Sequence, residues 1–374
     1  MKKKITLTTT FIIISSLIIL LTYKKDNNVT FSDTSKNNNN LLSIMLETSS
    51  GSGDYQESLS NNFPTNGYIF NENLSNCENG SKISWNEENK SVSVKSNKAD
   101  KCHLYFDIYE PILAETIINL YTGTQGENSI YYHDSNLTNG ANDNSYRYAG
   151  ANPNNYVCFG SRDATCPANN LYRIIGVFEE NNHGVSGKKL VKIIKNDSYG
   201  TYEWHKKSGN DWSIADLNKT LNSTFLTAQL SGYEDKIQSV AWKISGLGNE
   251  SGVAKGIYTV EVANATKTYE AKVGLMYLSD YAYASSPSYW ETSVFKYTAE
   301  VVATNWLYLD NKTQWVLTRA STDNYDVFSI TNDGYVNGDN NAFSLYEVKP
   351  TFYLTSDILY AGGTGTLTDP YRTR

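Results

Sequence analysis

Apolar positions in this chain come in short runs broken by Asn, Gly, Ser and Thr, and the densest of them lie between residues 146 and 195. There, two cysteines eight residues apart precede two β-branched apolar runs, Leu171–Phe178 and 189–194, with an Asn/Gly/Ser loop between them. Two such runs around a turn-forming loop predict a β-hairpin entered through a disulfide-tied segment. Upstream, residues 67–71, 82–86, 91–95 and 102–109 alternate apolar and polar side chains like strands of a half-buried sheet. In KISWN-EENK-SVSVK, Ile83 and Trp85 share one face opposite Val92 and Val94, a second hairpin with Trp85 directed to a core. Downstream, Ser213 and Asp216 have capping-box spacing, and Ile214, Leu217, Leu221 and Phe225 follow at helical steps. Residues 114–120 read as a short helix, and 257–262 and 272–277 as strands. The last hundred residues read as aromatic loops alternating with short strands at 306–309, 314–319, 326–330, 334–336 and 348–354.

The N-terminus departs from this pattern. Lys2, Lys3 and Lys4 precede the uncharged stretch 5–23, and Lys24 and Lys25 follow it. A bilayer core of ~30 Å takes about 20 helical residues, so residues 5–23 are long enough to span a bacterial membrane. The segment reads as a signal anchor over 1–25 with its lysines inside and the body outside; a cleaved signal peptide is the alternative. Residues 26–60 are Asn/Ser/Thr/Gly-rich and read as a flexible stalk, interrupted by an apolar patch at 41–46 that suggests a strand. The expected organisation is then a small β module at 61–110 and a larger body at 111–374. The expected class is α+β, and the expected location is the cell membrane, single-pass with an extracellular C-terminal body.

Composition narrows the chemistry. A net charge of -7 and the lack of any basic face argue against nucleic acid. The four cysteines form two local couples, Cys77 with Cys102 and Cys158 with Cys166, each inside one expected domain; disulfides are expected, and no zinc-ligand spacing is present. The four histidines, His103, His133, His183 and His205, lack a recognisable nucleophile beside them, and no G-x-S-x-G elbow occurs. The Gly362–Thr366 stretch lacks the Lys and following helix of a phosphate loop. The stretch 332–341 is rich in oxygen ligands but misses the calcium-loop spacing, leaving a solvated turn as the reading and calcium as the alternative. No cofactor is expected.

The C-terminal two thirds carry an ordered set of motifs: NYVCF…LYRIIGVF, WSIADLNKTLN, KVGLMYLSDYAYA, NWLYLDNKTQWVLTR, VKPTFYL and GTGTLTDPY. In this order they resemble a domain of unknown function carried by surface proteins of low-GC Gram-positive gut bacteria and their mollicute relatives. That domain is in turn similar to the C-type-lectin-like fold of formylglycine-generating enzyme. The resemblance implies a mixed body with a twisted antiparallel sheet and long working loops. The enzyme branch needs a cysteine pair in its C-terminal half, and no Cys follows Cys166; Lys349 also stands where the V-R-P signature has Arg. Binding is therefore the leading reading: adhesion to a glycan or protein on a surface. Trp204, Tyr289, Trp290, Trp306 and Tyr308, aromatics in polar loop contexts, are the expected ligand contacts. Trp212, Trp315 and Arg319 read as structural. A cell-surface hydrolase acting on polysaccharide or peptidoglycan through paired carboxylates is the alternative.

Overall fold

The computed structural model describes residues 32–33, 41–64, 67–95, 99–207, 209–248 and 252–374. The expected anchor at 5–23 lies outside the described residues; among those described, no helix is long and apolar enough to cross a membrane. The chain divides into two compact units, residues 1–110 and 111–374. Both are built mainly from sheets; in the second unit the longest described helical run, 216–229, is α-helix interrupted by a π-turn at Leu221–Phe225, and the longest uninterrupted α-helix has seven residues.

In the first unit, β1 (Ser32–Asp33), β6 (Ser91–Lys95) and β5 (Lys82–Asn86) form one sheet. A second sheet has the order β3 (Tyr55–Glu57), β2 (Leu41–Glu47), β7 (Lys101–Ile108), β4 (Tyr68–Cys77). The expected 82–95 hairpin forms in register, Ile83 opposite Val94 and Trp85 opposite Val92. Alternation places Cys102, Leu104 and Phe106 of β7 inward beside Val92 and Val94. Trp85 stacks on Phe70 at 5.3 Å and meets Phe106 edge-on, so it is a core ring. The stalk expected over 26–60 is corrected in its second half: β2 is a central strand, parallel to β7, because the apolar patch at 41–46 finds a sheet to join. Cys77 and Cys102 face each other across β4 and β7 and are bonded.

The second unit centres on β11 (Leu171–Phe178) and β12 (Leu190–Lys195), the predicted hairpin, whose residues are all buried. Strands covered on both faces read as continuous apolar runs, the pattern seen in the sequence. Around them, β8 (Ile130–Tyr132), β9 (Tyr146–Tyr148), β10 (Tyr156–Cys158), β16 (Val273–Gly274), β21 (Thr351–Tyr353) and β22 (Tyr371–Arg372) complete an eight-stranded sheet. A second sheet runs β13 (Gly200–Glu203), β20 (Leu345–Val348), β17 (Gln314–Arg319), β18 (Asp326–Ile330), β19 (Val336–Asn341); β14 (Val240–Lys243) pairs with β15 (Thr268–Ala271) apart from both. The strand expected over 348–354 is two strands. Pro350 offers no N–H to a ladder, so β20 ends in one sheet and β21 begins in the other. Gly176 marks a bulge in β11 where a Cβ would lie 2.3 Å from the Tyr146 carbonyl, so only glycine lets β9 approach.

Four further expectations change. Residues 257–262 are helical, not extended: Ala254–Tyr258 and a π-turn at Thr259–Ala263 bury Ala254, Ile257, Tyr258 and Val262, whose spacing suits a helix despite the β-branched composition. Residues 306–309 form turns, and 334–336 gives way to a strand starting at Val336. The capping box at 213–216 is absent: Asp211 caps the preceding turn by accepting from the Ser213 N–H, and the Asp216 carboxylate turns to His205 instead.

Candidate functional site

The expected ligand aromatics mostly serve the core. Trp204 is fully buried against Trp212, its indole N–H donating to the Val316 carbonyl. Trp290 is 1 % exposed, packs on His133 and Tyr283, and donates to the Ser285 carbonyl. Trp306, 5 % exposed, donates to the Tyr148 carbonyl and lies 4.6 Å from the Arg173 guanidinium, which Tyr156 covers on its own ring face at 4.4 Å. These three indoles have no face left for a ligand. Tyr289 and Tyr308 are half-buried, their hydroxyls donating to Glu300 and to the Asn332 carbonyl. Both expected disulfides are formed, and all four cysteines are used. Arg319 is structural, donating to Ile244 and Asn210.

The strongest electrostatic feature is buried. Arg147 on β9 donates to Asp143 at 2.6 Å and lies 3.8 Å from Asp280, while Lys192 on β12 donates to Asp280 at 2.5 Å. The Asp280 carboxylate also accepts the Tyr277 N–H at 2.8 Å, and Glu261 accepts the N–H groups of Leu278 and Ser279. Together these carboxylates satisfy the orphan amides at the start of the helix Leu278–Ala284, which explains how a wholly buried helix tolerates its polar first turn. Burial opposes the Asp143 charge, but Arg147, His133 and hydrogen bonds from Ser145 and Asn182 hold its carboxyl below the usual range. Burial, reinforced by Arg147, drives His133 down to about 3, so it is neutral and accepts the Ala141 N–H. Nothing in the sequence reading singled this network out. The available signal was Lys192, a charge in the middle of an apolar strand.

Three concavities stand out at the surface of the second unit among the described residues. One of about 390 Å³ lies between residues 161–164 and the Arg372 region, where Arg372 already donates to the carbonyls of Asp163 (2.8 Å) and Ala164 (2.6 Å) and so clasps the Cys158–Cys166 loop. A second, of about 200 Å³, is lined by Arg319, whose guanidinium already donates to Asn210. The third, of about 480 Å³, is a groove between Leu247–Gly248, Phe295 and the β18–β19 hairpin. It combines an aromatic side with a polar one. Phe295 is 40 % exposed and its ring centroid lies 6.2 Å from that of Phe328 in the wall; Thr322, Asn337 and Asp339 supply hydroxyl, amide and carboxylate groups. Gly338 lets the Phe328 ring pack against β19, since a Cβ there would come 2.7 Å from that ring. The expected binding loop at Tyr289–Trp290 is thus a near neighbour in sequence of the groove's aromatic residue. The stretch 332–341, weighed for calcium, contributes its β19 residues to the groove, and the described residues include no group of three or more His, Cys, Asp or Glu able to hold a metal ion. No family model, no characterised protein and no solved structure matches this chain.

Proposed function

We propose that this chain is an extracellular binding protein, tethered to a bacterial membrane through residues 5–23, that takes a glycan through the groove at Phe295. The observation that carries the reading is the pairing of an exposed Phe295 ring with Thr322, Asn337 and Asp339 in one concavity of about 480 Å³. Sugars present apolar C–H faces and hydroxyl edges, and an aromatic ring beside hydrogen-bonding side chains meets both. Asp339 accepts hydrogen bonds from hydroxyls and repels acidic sugars, so the expected ligand is a neutral oligosaccharide. Two disulfides and no free thiol suit an oxidising compartment outside the cytosol. The net charge of -7 gives no attraction to nucleic acid. On this reading the mixed sheet-and-loop body is a C-type-lectin-like scaffold whose loops form the groove.

The test is a glycan array probed with the full chain held in nanodiscs, followed by calorimetry on each positive. Retention of neutral oligosaccharides that weakens on Phe295→Ala supports the reading. Retention that is indifferent to Phe295→Ala, or none at all, sinks it. Release of reducing ends from a bound glycan would move the reading to the hydrolase class.

A further inference from the structure

Lys192 and Asp280 are closer, drier and better equipped than an ion pair requires. The Lys192 Nζ lies 2.5 Å from Asp280 Oδ2, and the two side chains are 0 % and 1 % exposed. Four rings enclose the nitrogen: Tyr277 at 4.2 Å, Tyr353 at 5.4 Å, Trp242 at 5.5 Å and Phe178 at 5.6 Å from their centroids. A second carboxyl, that of Glu261, is held at the start of the same helix by the Leu278 and Ser279 amides and by the Thr318 hydroxyl. It is 1 % exposed and close enough to act electrostatically on Lys192. An amine fixed on a carboxyl, a further carboxyl to move protons, and the exclusion of water are the requirements of amide condensation.

We propose that Lys192 and Asp280 are joined by an intramolecular isopeptide bond formed after folding, with Glu261 as proton carrier. The pair begins as ammonium and carboxylate. One proton crosses the 2.5 Å contact to the carboxylate, leaving a neutral amine and a neutral acid. The Nζ lone pair adds to the Asp280 Cγ, forming the C–N bond and a tetrahedral centre. Glu261 takes a proton from the nitrogen and returns it to the departing hydroxyl; the C–O bond breaks and water leaves. Ammonium plus carboxylate thus becomes amide plus one water, with Glu261 restored and no oxidant, reductant or co-reactant consumed.

The surroundings favour each step. Burial holds Lys192 below the ordinary lysine range against the pull of Asp280, and holds Glu261 above the ordinary carboxylate range against its hydrogen bonds. Arg147, 3.8 Å from Asp280 Oδ1, stands where negative charge collects on the tetrahedral centre. The bond would tie β12 to the helix Leu278–Ala284 across a separation of 88 residues and remove two charges whose desolvation an ion pair offsets poorly.

Peptide mapping of the full chain decides the matter. The expected product is a branched peptide uniting the Lys192 and Asp280 segments, with a mass one water below their sum and no tryptic cleavage after Lys192. Recovery of both segments as unlinked peptides from folded protein overturns the proposal, as does a water lost at any other pair. Lys192→Met must abolish the branched species. For Glu261→Gln, folded by tryptophan fluorescence, linear segments are expected; linkage equal to wild type would remove Glu261 from the mechanism. Should that variant not fold, Glu261→Asp provides the same comparison, with slower accumulation of the branched peptide expected and an unchanged rate counting against the role.

Discussion

Replacing Lys349 with Met should stabilise the second unit, and by an amount that depends on pH. Lys349 is 5 % exposed and lies just before Pro350 at the crossing from β20 to β21. Burial, reinforced by the nearby positive charges of Arg173 and Lys195 and only partly opposed by Asp197, carries its pKa from the ordinary 10.5 down to about 7. At about 1.4 kcal/mol for each pH unit of displacement, the protonated form costs the fold up to about 5 kcal/mol. The folded pKa lies below the unfolded one, so between about pH 7 and about pH 10 the unfolded chain binds more protons and stability rises with pH. Below the folded pKa the penalty is present in full; above it, folding proceeds with a neutral amine. Lys349→Met removes the titrating group, so its advantage over wild type should be greatest below pH 7 and shrink by about 2 kcal/mol between about pH 7 and about pH 9. Urea unfolding followed by tryptophan fluorescence measures this, because Trp204, Trp212, Trp242, Trp290, Trp306 and Trp315 all lie in the second unit and only Trp85 in the first. Taking the difference between the two proteins cancels the other titrating groups. An advantage that stays constant across that pH range would refute a buried lysine that discharges near neutrality.

The remaining predictions address the groove, a disulfide and the bulge. Full burial of a Phe side chain is worth about 1.5–3 kcal/mol, and the 40 % of Phe295 still exposed corresponds to about 0.6–1.2 kcal/mol. Phe295→Ala should therefore weaken an array-identified oligosaccharide about three- to eight-fold by calorimetry, with Phe295→Tyr close to wild type. Replacing Cys77 and Cys102 together with Ser should cost the first unit about 2–4 kcal/mol, read as faster hydrogen exchange in β4 and β7, and leave residues 111–374 unchanged. Gly176→Ala brings a Cβ against a backbone carbonyl that has no rotamer escape, so a loss of about 3 kcal/mol and a lowered Tm are expected; an unchanged Tm would mean that β9 can shift.

The two hairpins were legible because each lies on a local pattern: Ile83 and Trp85 against Val92 and Val94, and the runs that became β11 and β12. The disulfides were legible from proximity in sequence. What escaped was non-local. The run 257–262 has a strand's composition but packs as a helix against the helix Leu278–Ala284. Asp216 has capping spacing, yet the imidazole of His205 at 2.7 Å competes for its carboxylate. The groove unites residues from Leu247 to Asp339, and no window of sequence shows that Phe295 and Asn337 share it. The Arg147, Lys192, Asp280 and Glu261 cluster is assembled across similar separations.

The misplacement of the tryptophans has a general cause. In a body built from short strands and turns, buried carbonyls retain acceptor capacity that donors bringing apolar bulk with them can fill. Indoles meet both demands: Trp204, Trp242, Trp290, Trp306 and Trp315 each bury a ring and donate to a main-chain carbonyl of a distant or turning segment. Aromatic residues among Asn, Asp and Thr are therefore what such a core requires, and their presence in polar loops carries no information about ligands. Phe295 differs in kind. Its ring has no polar atom to give a buried carbonyl, and two fifths of its surface remains open beside Asn337 and Asp339. An apolar ring that neither satisfies the backbone nor completes the core, yet is held in place between a turn and a hairpin at the side of a groove, has surface left for a partner.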